Sequence, residues 1–504
     1  MTTSHICIMI AIIVYLGAMI YVGYLCSKKN NDTSDFYLGG RKLGPLVTAM
    51  SAEASDMSSW LLMGLPGLAY LSGIADAGWT AIGLAIGTYL NWKIVAKRIR
   101  LYTHVAGNSI TLPSFFSNRF RDNRHLLQSI GAIFIVIFFI PYTASGFAAC
   151  GKLFSSLFGV KYLTAMIISA LVIVGYTTLG GFLAASTTDF IQSIIMSIAL
   201  IIVFCFGVSI AGGPSAVIDH AKSLPGYLTM MTTYDPVSGT ESAYPVINIV
   251  SMMAWGLGYF GMPQVLLRFM AIRSERELTR SRRIATVWVL ISLTVAVLIG
   301  VVGRMLYPDA LNTASSAENI FILMSTRLLP PIIAGLVMAG ILAATISSSD
   351  SYLLIAASAF SKNIYQGLLH KKASDKQVLW ISRLTLLIIT AVAIFVALDE
   401  NSVIFTIVSF AWAGFGATFG PLMLFSLFWK RLNRAGAIAG MIGGGCMVFV
   451  WNLLVRPLGG LWDIYELLPA FIFSCLCIVV VSLLTAPPAK EVQEDFEAVR
   501  RGNH

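Results

Sequence analysis

The sequence predicts an all-α membrane protein with about thirteen transmembrane helices, because it is strongly apolar and its apolar residues come in long runs. Of 504 residues, 57% are hydrophobic and only 12% are charged. A helix that crosses the hydrocarbon core of a bilayer needs about 20 predominantly apolar residues. Runs of this kind lie at 6–26, 46–72, 76–95, 126–150, 160–180, 190–211, 245–268, 283–303, 330–356, 380–398, 402–428, 434–452 and 466–486.

The second and seventh of these runs are interrupted. Residues 51–60 are rich in serine and contain Glu53 and Asp56, and residues 255–263 contain three glycines and end at Pro263. Inside a membrane, non-helical backbone is tolerated only against protein or a water-filled cavity, because lipid cannot satisfy its polar groups. Broken spans in corresponding positions of two halves indicate a transporter of inverted repeats with a binding site near the bilayer midplane.

These breaks also predict how the chain is organised. We expect one polytopic transmembrane domain at 1–486, with inverted repeats at about 46–211 and 245–428, followed by a polar cytoplasmic tail at 487–504. No clear residue-level repeat accompanies the breaks, so the symmetry argument rests on the breaks alone.

The distribution of basic residues predicts the orientation. With the N-terminus outside, the segments on the inner side carry 28 of the 34 Lys and Arg residues, and those on the outer side carry six. This is the positive-inside asymmetry, so the formal net charge of +10 reflects topology rather than nucleic-acid binding. The first run is followed by Lys28 and Lys29 and has no basic residue before it, which indicates an anchor rather than a signal peptide. We expect a multi-pass protein of the cell (inner) membrane with a cytoplasmic C-terminus.

The ninth run carries an unusual polar cluster. Within two helical turns it places five hydroxyl residues around one acid: Thr345, Ser347, Ser348, Ser349, Asp350 and Ser351. Hydroxyl and carbonyl oxygens are the ligands that hard cations prefer, although small residues and hydroxyls also serve ordinary helix packing in membranes. The sequence contains no nucleophile–base pair, metal motif or phosphate loop, so an enzyme is not predicted.

Several motifs resemble the sodium/solute symporter family, most closely its bacterial sodium/proline branch. They lie at 36–45, 51–67, 180–185, 255–261, 268–271 and 339–344, in order over nearly the whole chain. The resemblance implies a leucine-transporter-type fold, with a five-plus-five inverted repeat, and inward symport of sodium with L-proline by alternating access. The alternative is another small solute on the same fold, such as a sialic acid, a sugar or another carboxylate. Lipid is the expected surrounding, and no obligate protein partner is evident.

The resemblance also implies two sets of binding residues. The sodium ligands become the carbonyls of Ala54, Met57 and Ala344 and the hydroxyls of Ser347 and Ser348. Unwinding of the second span frees its carbonyls, and the ninth span supplies the hydroxyls. The implied proline-site residues are Met57, Ser58, Tyr142, Trp255, Tyr259 and Pro263. Helical periodicity alone favours ordinary bundle packing for these aromatic residues.

Charged residues inside spans are costly and usually functional. The resemblance assigns a second cation site or a coupling role to Asp56, Asp189, Asp350, Ser351 and Arg41. We expect Asp56 to hold the first break open by accepting backbone N–H bonds, and Asp189 to begin the sixth span. Asp350 replaces a small hydroxyl residue of the family, and its alternative interpretation is a cytoplasm-facing acid near a helix end, paired with a loop arginine. Glu53 is expected to pair across the bundle.

Overall fold

The structure, a computed structural model, describes residues 3–27 and 37–502. Lys28, Lys29 and Phe36, which enter the topology and motif arguments, lie outside this part. Within it, nearly all regular structure is helical. The chain is a multi-pass membrane protein, and in the described part ten helices are long and apolar enough to cross a membrane.

The first half of the chain contains eight α-helices. They are α1 Thr3–Ser27, α2 Pro45–Asp56, α3 Leu65–Ser72, α4 Ile74–Leu90, α5 Ala96–Val105, α6 Leu112–Arg119, α7 Leu126–Phe158 and α8 Tyr162–Ile210. π-Helical turns at Trp60–Gly64 and Asn91–Val95 lead directly into α3 and α5. Gly181 interrupts α8 with a φ of 74°, a backbone conformation that glycine adopts without steric cost. The sixth predicted span therefore starts after Gly181, and the expectation that Asp189 begins it is wrong: Asp189 lies two turns inside the helix.

The second half begins with an outer hairpin and continues as helices. After α9 Pro214–Ser223, strands β1 Thr232–Tyr234 and β2 Glu241–Ala243 pair antiparallel. The remaining helices are α10 Val246–Met253, α11 Pro263–Ala271, α12 Leu278–Leu306, α13 Ala314–Ala317, α14 Ile320–Leu328, α15 Pro331–Ser358, α16 Asp375–Val396, α17 Ile404–Phe428, α18 Arg434–Val450, α19 Leu467–Leu484 and α20 Lys490–Arg501. A 3-10 helix, Ala254–Phe260, joins α10 to α11, and α15 continues as a π-helix, Ala359–Leu369.

Two charged residues that the topology count placed in loops lie buried in helices. Arg268 is in α11 and is 1% exposed, and Lys152 is in α7 and is 6% exposed. The Lys152 ammonium is 2.8 Å from Glu318 Oε2, and Glu318 accepts hydrogen bonds from the N–H groups of Ile404 and Phe405 at the start of α17. Counting charges by loop could not detect either burial, because both residues lie at the ends of apolar runs.

The C-terminal tail forms a helix against the body of the protein. α20 buries Val492, Phe496 and Val499 and packs against α5. The Arg119 guanidinium lies 5.6 Å from the ring centre of Phe496. The tail is therefore an amphipathic helix with a buried apolar face.

Candidate ion and solute site

The first break is shorter than the sequence predicts. α2 remains helical through Asp56, Met57 leaves the helical region with φ −78° and ψ 80°, and the π-helical turn begins at Trp60. The Ser58 N–H bonds the carbonyl of Asp56 instead of that of Ala54. The carbonyl of Ala54 is thereby released from the helix, as expected, although the residue itself stays in it.

The freed carbonyl faces the hydroxyls of the ninth span. Ser347 Oγ donates to the carbonyl of Ala54 at 2.9 Å, and Ser348 Oγ lies 3.5 Å from the same oxygen. Both hydroxyls also reach the carbonyl of Ala344, at 3.2 and 2.8 Å. The Leu61 N–H bonds Ser58 rather than Met57, so the carbonyl of Met57 is not used by that helical turn. Four of the five predicted sodium ligands are thus in mutual contact, and they offer the hard oxygen atoms that sodium requires.

The predicted solute residues meet where the two breaks approach each other. Tyr259, from the second break, donates its hydroxyl to Asp56 Oδ2 at 2.8 Å. Tyr142 Oη lies 3.4 Å from the carbonyl of Asp56. The expectation that Asp56 accepts backbone N–H bonds is wrong: its described side-chain donor is the phenol of Tyr259.

Trp255 lies in a cluster of aromatic rings. Its ring centre is 6.2 Å from Trp60, 4.8 Å from Phe405, 6.0 Å from Trp412 and 5.5 Å from Tyr465. Because Ala254–Phe260 is a 3-10 helix with three residues per turn, Trp255 and Tyr259 do not share one face as they would in an α-helix. Trp412 nevertheless contacts both, since its ring lies 5.0 Å from that of Tyr259 at 90°.

Small residues allow these elements to come close. A Cβ at Gly258 would lie 2.0 Å from Trp412 Nε1, so only glycine fits beside the indole. The same indole donates to the carbonyl of Trp255 at 2.7 Å. Pro263 begins α11 and ends the irregular stretch, since proline is accepted in the first turn of a helix.

A second polar cluster lies where α2, α8, α11 and α15 meet. The Arg268 guanidinium contacts Asp189 Oδ2 at 2.9 Å, Ser351 Oγ at 2.8 Å and Ser51 Oγ at 3.0 Å. Ser51 donates to the same Asp189 oxygen at 2.7 Å. This Arg268 cluster joins the two predicted coupling residues Asp189 and Ser351 through an arginine that the sequence interpretation had counted as a loop charge.

Asp350 completes the Arg268 cluster. It is 2% exposed, it interacts electrostatically with both Asp189 and Arg268, and among the described residues neither of its carboxylate oxygens accepts a hydrogen bond. The alternative of a solvated acid near a helix end is wrong, because α15 continues past it to Ser358.

Glu53 and Arg41 lie on either side of these sites. Trp92 Nε1 donates to Glu53 Oε1 at 2.9 Å, so Glu53 pairs across the bundle as expected. Arg41 donates to the carbonyls of Met270 at 2.7 Å and Ser109 at 2.8 Å. Through Arg41 the segment before α2 is bound to the inner end of α11.

Three residues in these sites were missed by sequence reasoning. Arg268 was quoted only as part of a motif, Trp412 only as part of a glycine-rich stretch, and Tyr352 not at all. Tyr352 stacks on Tyr142 with ring centres 4.2 Å apart. The available signal was an arginine inside an apolar run, which is rare enough in membranes to indicate function.

Known proteins show clear similarity to this chain. Residues 36–444 match the model of the sodium:solute symporter family. The sodium/proline symporter of Haemophilus influenzae is 42% identical over 98% of this chain and 97% of its own length. The high-affinity proline transporter PutP of Bacillus subtilis is 43% identical over 95% and 98%. A solved structure of a sodium-coupled sialic acid symporter, in a substrate-bound outward-open state, superposes with a TM-score of 0.78 at 20% identity, covering 96% of this chain and 99% of that one.

Proposed function

Because the chain belongs to the sodium:solute symporter family, we propose that it moves L-proline into the cell together with sodium. It is a membrane transporter and not an enzyme. Sodium is a cotransported ion here and not a cofactor. The full-length relatives that are named as proline transporters support proline as the solute.

The observation that carries this function is the contact between the two broken helices. Tyr259 and Asp56 link the breaks by a 2.8 Å hydrogen bond, and the carbonyl of Ala54, two residues before Asp56, lies against Ser347. Sodium bound at Ala54, Met57, Ala344, Ser347 and Ser348 would hold α2 against α15. The same ordering would fix Ser58, Tyr142, Trp255 and Tyr259 around the proline, so that binding of the ion favours binding of the solute.

The architecture in this proposal has thirteen spans. One span precedes a five-plus-five inverted repeat at about 46–211 and 245–428, and two follow it, with an outside N-terminus and a cytoplasmic tail. The shorter apolar helices Trp60–Ser72 and Tyr162–Thr178 and the α4–α5 helix, which carries more charge, add three spans to the ten long ones. The positive-inside asymmetry supports the orientation.

The driving force is sufficient for concentrative uptake. Moving one charge through 100 mV supplies about 2.3 kcal/mol, and a tenfold sodium gradient supplies about 1.4 kcal/mol. One sodium ion per proline could therefore sustain roughly a several-hundredfold proline gradient.

We expect the purified protein in proteoliposomes to take up radiolabelled L-proline only when sodium is present outside. Uptake should saturate, should be stimulated by an inside-negative potential, and should be competed by unlabelled proline. Uptake that is independent of sodium, or that sialic acid or a sugar competes as well as proline, would contradict the proposal.

A matched pair of tryptophan variants tests the solute pocket within the same assay. Trp255→Ala removes the ring that packs among four aromatic neighbours and should weaken proline binding much more than sodium binding. Trp380→Ala removes a ring that is 62% exposed and should change neither. Equal losses of both ligands in Trp255→Ala would indicate a packing role instead.

We propose further that Asp350 is the group in the Arg268 cluster that takes up a second cation. Arg268 already neutralises Asp189 through a direct contact, whereas Asp350 lacks a hydrogen-bonded partner in the described part of the chain. A buried carboxylate without compensation is costly, so a cation that joins Asp350 during transport would lower that cost. Arg268 occupies the space between Asp189 and Ser351, which favours Asp350 over Asp189 as the site of the extra charge.

Asp350→Asn keeps the shape of the side chain and removes its charge. We expect the number of charges carried per proline, measured as current against tracer uptake, to fall in this variant. The pH dependence of the current separates a proton from a sodium ion. A variant that retains the wild-type charge-to-proline ratio, sodium affinity and pH profile would show that Asp350 takes no part in coupling.

A further inference from the structure

Two basic side chains converge on one aromatic ring at the inner end of α4 and α12. Lys93 Nζ lies 5.5 Å from the ring centre of Tyr89, and the Arg282 guanidinium lies 5.6 Å from it. Tyr89 is 38% exposed, and α4 packs against α12. A positive-inside bias explains the sign of these charges, but it does not explain why they meet at one ring.

The nearby acidic side chains do not neutralise this pair. Glu275 lies 3.8 Å from Lys97, and Glu277 lies 2.6 Å from Arg273. Across residues 3–27 and 37–502, no carboxylate forms an ion pair with Lys93 or Arg282. The two cations are therefore available to an anion from outside the chain.

The depth of the pair matches the phospholipid headgroups. Lys93 lies 19 residues after Ile74, where α4 begins, which at 1.5 Å per residue is about 28 Å. The hydrocarbon core is about 30 Å thick. Tyrosine is also typical of this interface, where its ring can lie in the apolar region and its hydroxyl in the polar one.

The surface that leads from the pair toward the membrane centre is aliphatic and exposed. On α4, Ile86 is one turn before Tyr89 and is 48% exposed. On α12, Val287 and Leu290 follow Arg283 at helical spacing and are 56% and 50% exposed. A basic patch next to an aliphatic stripe matches a molecule with an anionic head and an acyl chain.

We propose that Lys93, Arg282 and Tyr89 form a binding site for one anionic phospholipid of the cytoplasmic leaflet. The phosphate lies between the two cations, and one acyl chain lies along the aliphatic stripe. Basic pockets between transmembrane helices on the cytoplasmic side bind such headgroups in general. Because α4 continues toward Tyr259 through Asn91, the lipid contacts a helix that also supports the solute site.

The test uses the full-length protein in detergent with two lipids of identical chains, dioleoylphosphatidylglycerol and dioleoylphosphatidylcholine. Native mass spectrometry would count the lipids that stay bound. Lys93→Gln with Arg282→Gln should weaken binding of phosphatidylglycerol by about tenfold or more and leave phosphatidylcholine unchanged. Lys93→Arg with Arg282→Lys should retain the wild-type affinity.

The control pair is Lys371→Gln with Lys372→Gln, two exposed cations of another loop, and it should behave like the wild type. An equal loss in the control pair would show general charge attraction and overturn the proposal. It would also be overturned if inorganic phosphate displaced phosphatidylglycerol, or if the neutral pair bound it normally. Tyr89→Leu, which changes no charge, is the second variant if the neutral pair does not fold: it should also lose affinity, and wild-type affinity there would exclude the site.

Discussion

Replacing both Ser347 and Ser348 by alanine should raise the sodium concentration for half-maximal uptake by at least about tenfold, equivalent to about 1.4 kcal/mol of ion binding. These hydroxyls contact the carbonyls of Ala54 and Ala344, so their loss removes two oxygen ligands and two links between α15 and the broken α2. The measurement is the sodium dependence of proline uptake in proteoliposomes.

Ser349→Ala is the matched control for this pair. It removes a buried hydroxyl from the next position of the same helix, and that hydroxyl has no hydrogen-bond partner among the described residues. Its sodium dependence should stay within about twofold of the wild type, since no proposed ligand is lost. If the double variant, folded and inserted, kept the wild-type sodium dependence, the assignment of the sodium site to these hydroxyls would be refuted.

Replacing Arg268 by methionine should be the most destabilising single change among the residues of these two sites. Arg268 and Asp189 are 1% and 0% exposed, with 2.9 Å between their charged atoms. Removing one partner of a buried ion pair leaves an uncompensated charge, which costs about 3–5 kcal/mol. Ser51 and Ser351 lose the same hydrogen-bonding partner. We expect a marked fall in the melting temperature of the purified protein, measured at saturating and at zero sodium.

Asp189→Asn combined with Arg268→Met separates the charge from the packing. Removing both charges of a buried pair costs much less than removing one, so the double variant should melt well above Arg268→Met. Sodium affinity measured in the double variant then reports whether the pair supports ion binding as well as stability. A single variant as stable as the wild type would mean that Asp189 finds another cation, and the pairing would not be a structural requirement.

Local chemistry made much of this protein predictable. Long apolar runs fixed the helices, because a bilayer requires continuous apolar helix; the run at 404–428, for example, lies within the predicted 402–428. Glycine and proline located the second break, because their effects on the backbone are local. The first break proved shorter, since the sequence could not show that Ser51–Asp56 would stay helical while packed against α8 and α15.

Only the tertiary structure decided which polar groups are partners. Arg268 and Asp189 are 79 positions apart, and Asp56 and Tyr259 are 203 apart, so neither contact leaves a trace in local spacing. The same holds for the buried contact of Lys152 with Glu318. A charge at the end of an apolar run can reach water or can be enclosed by neighbouring helices, and only the arrangement of those helices selects between the two. Sequence therefore determined where the membrane helices and their interruptions lie, whereas packing determined which charges are buried and what neutralises them.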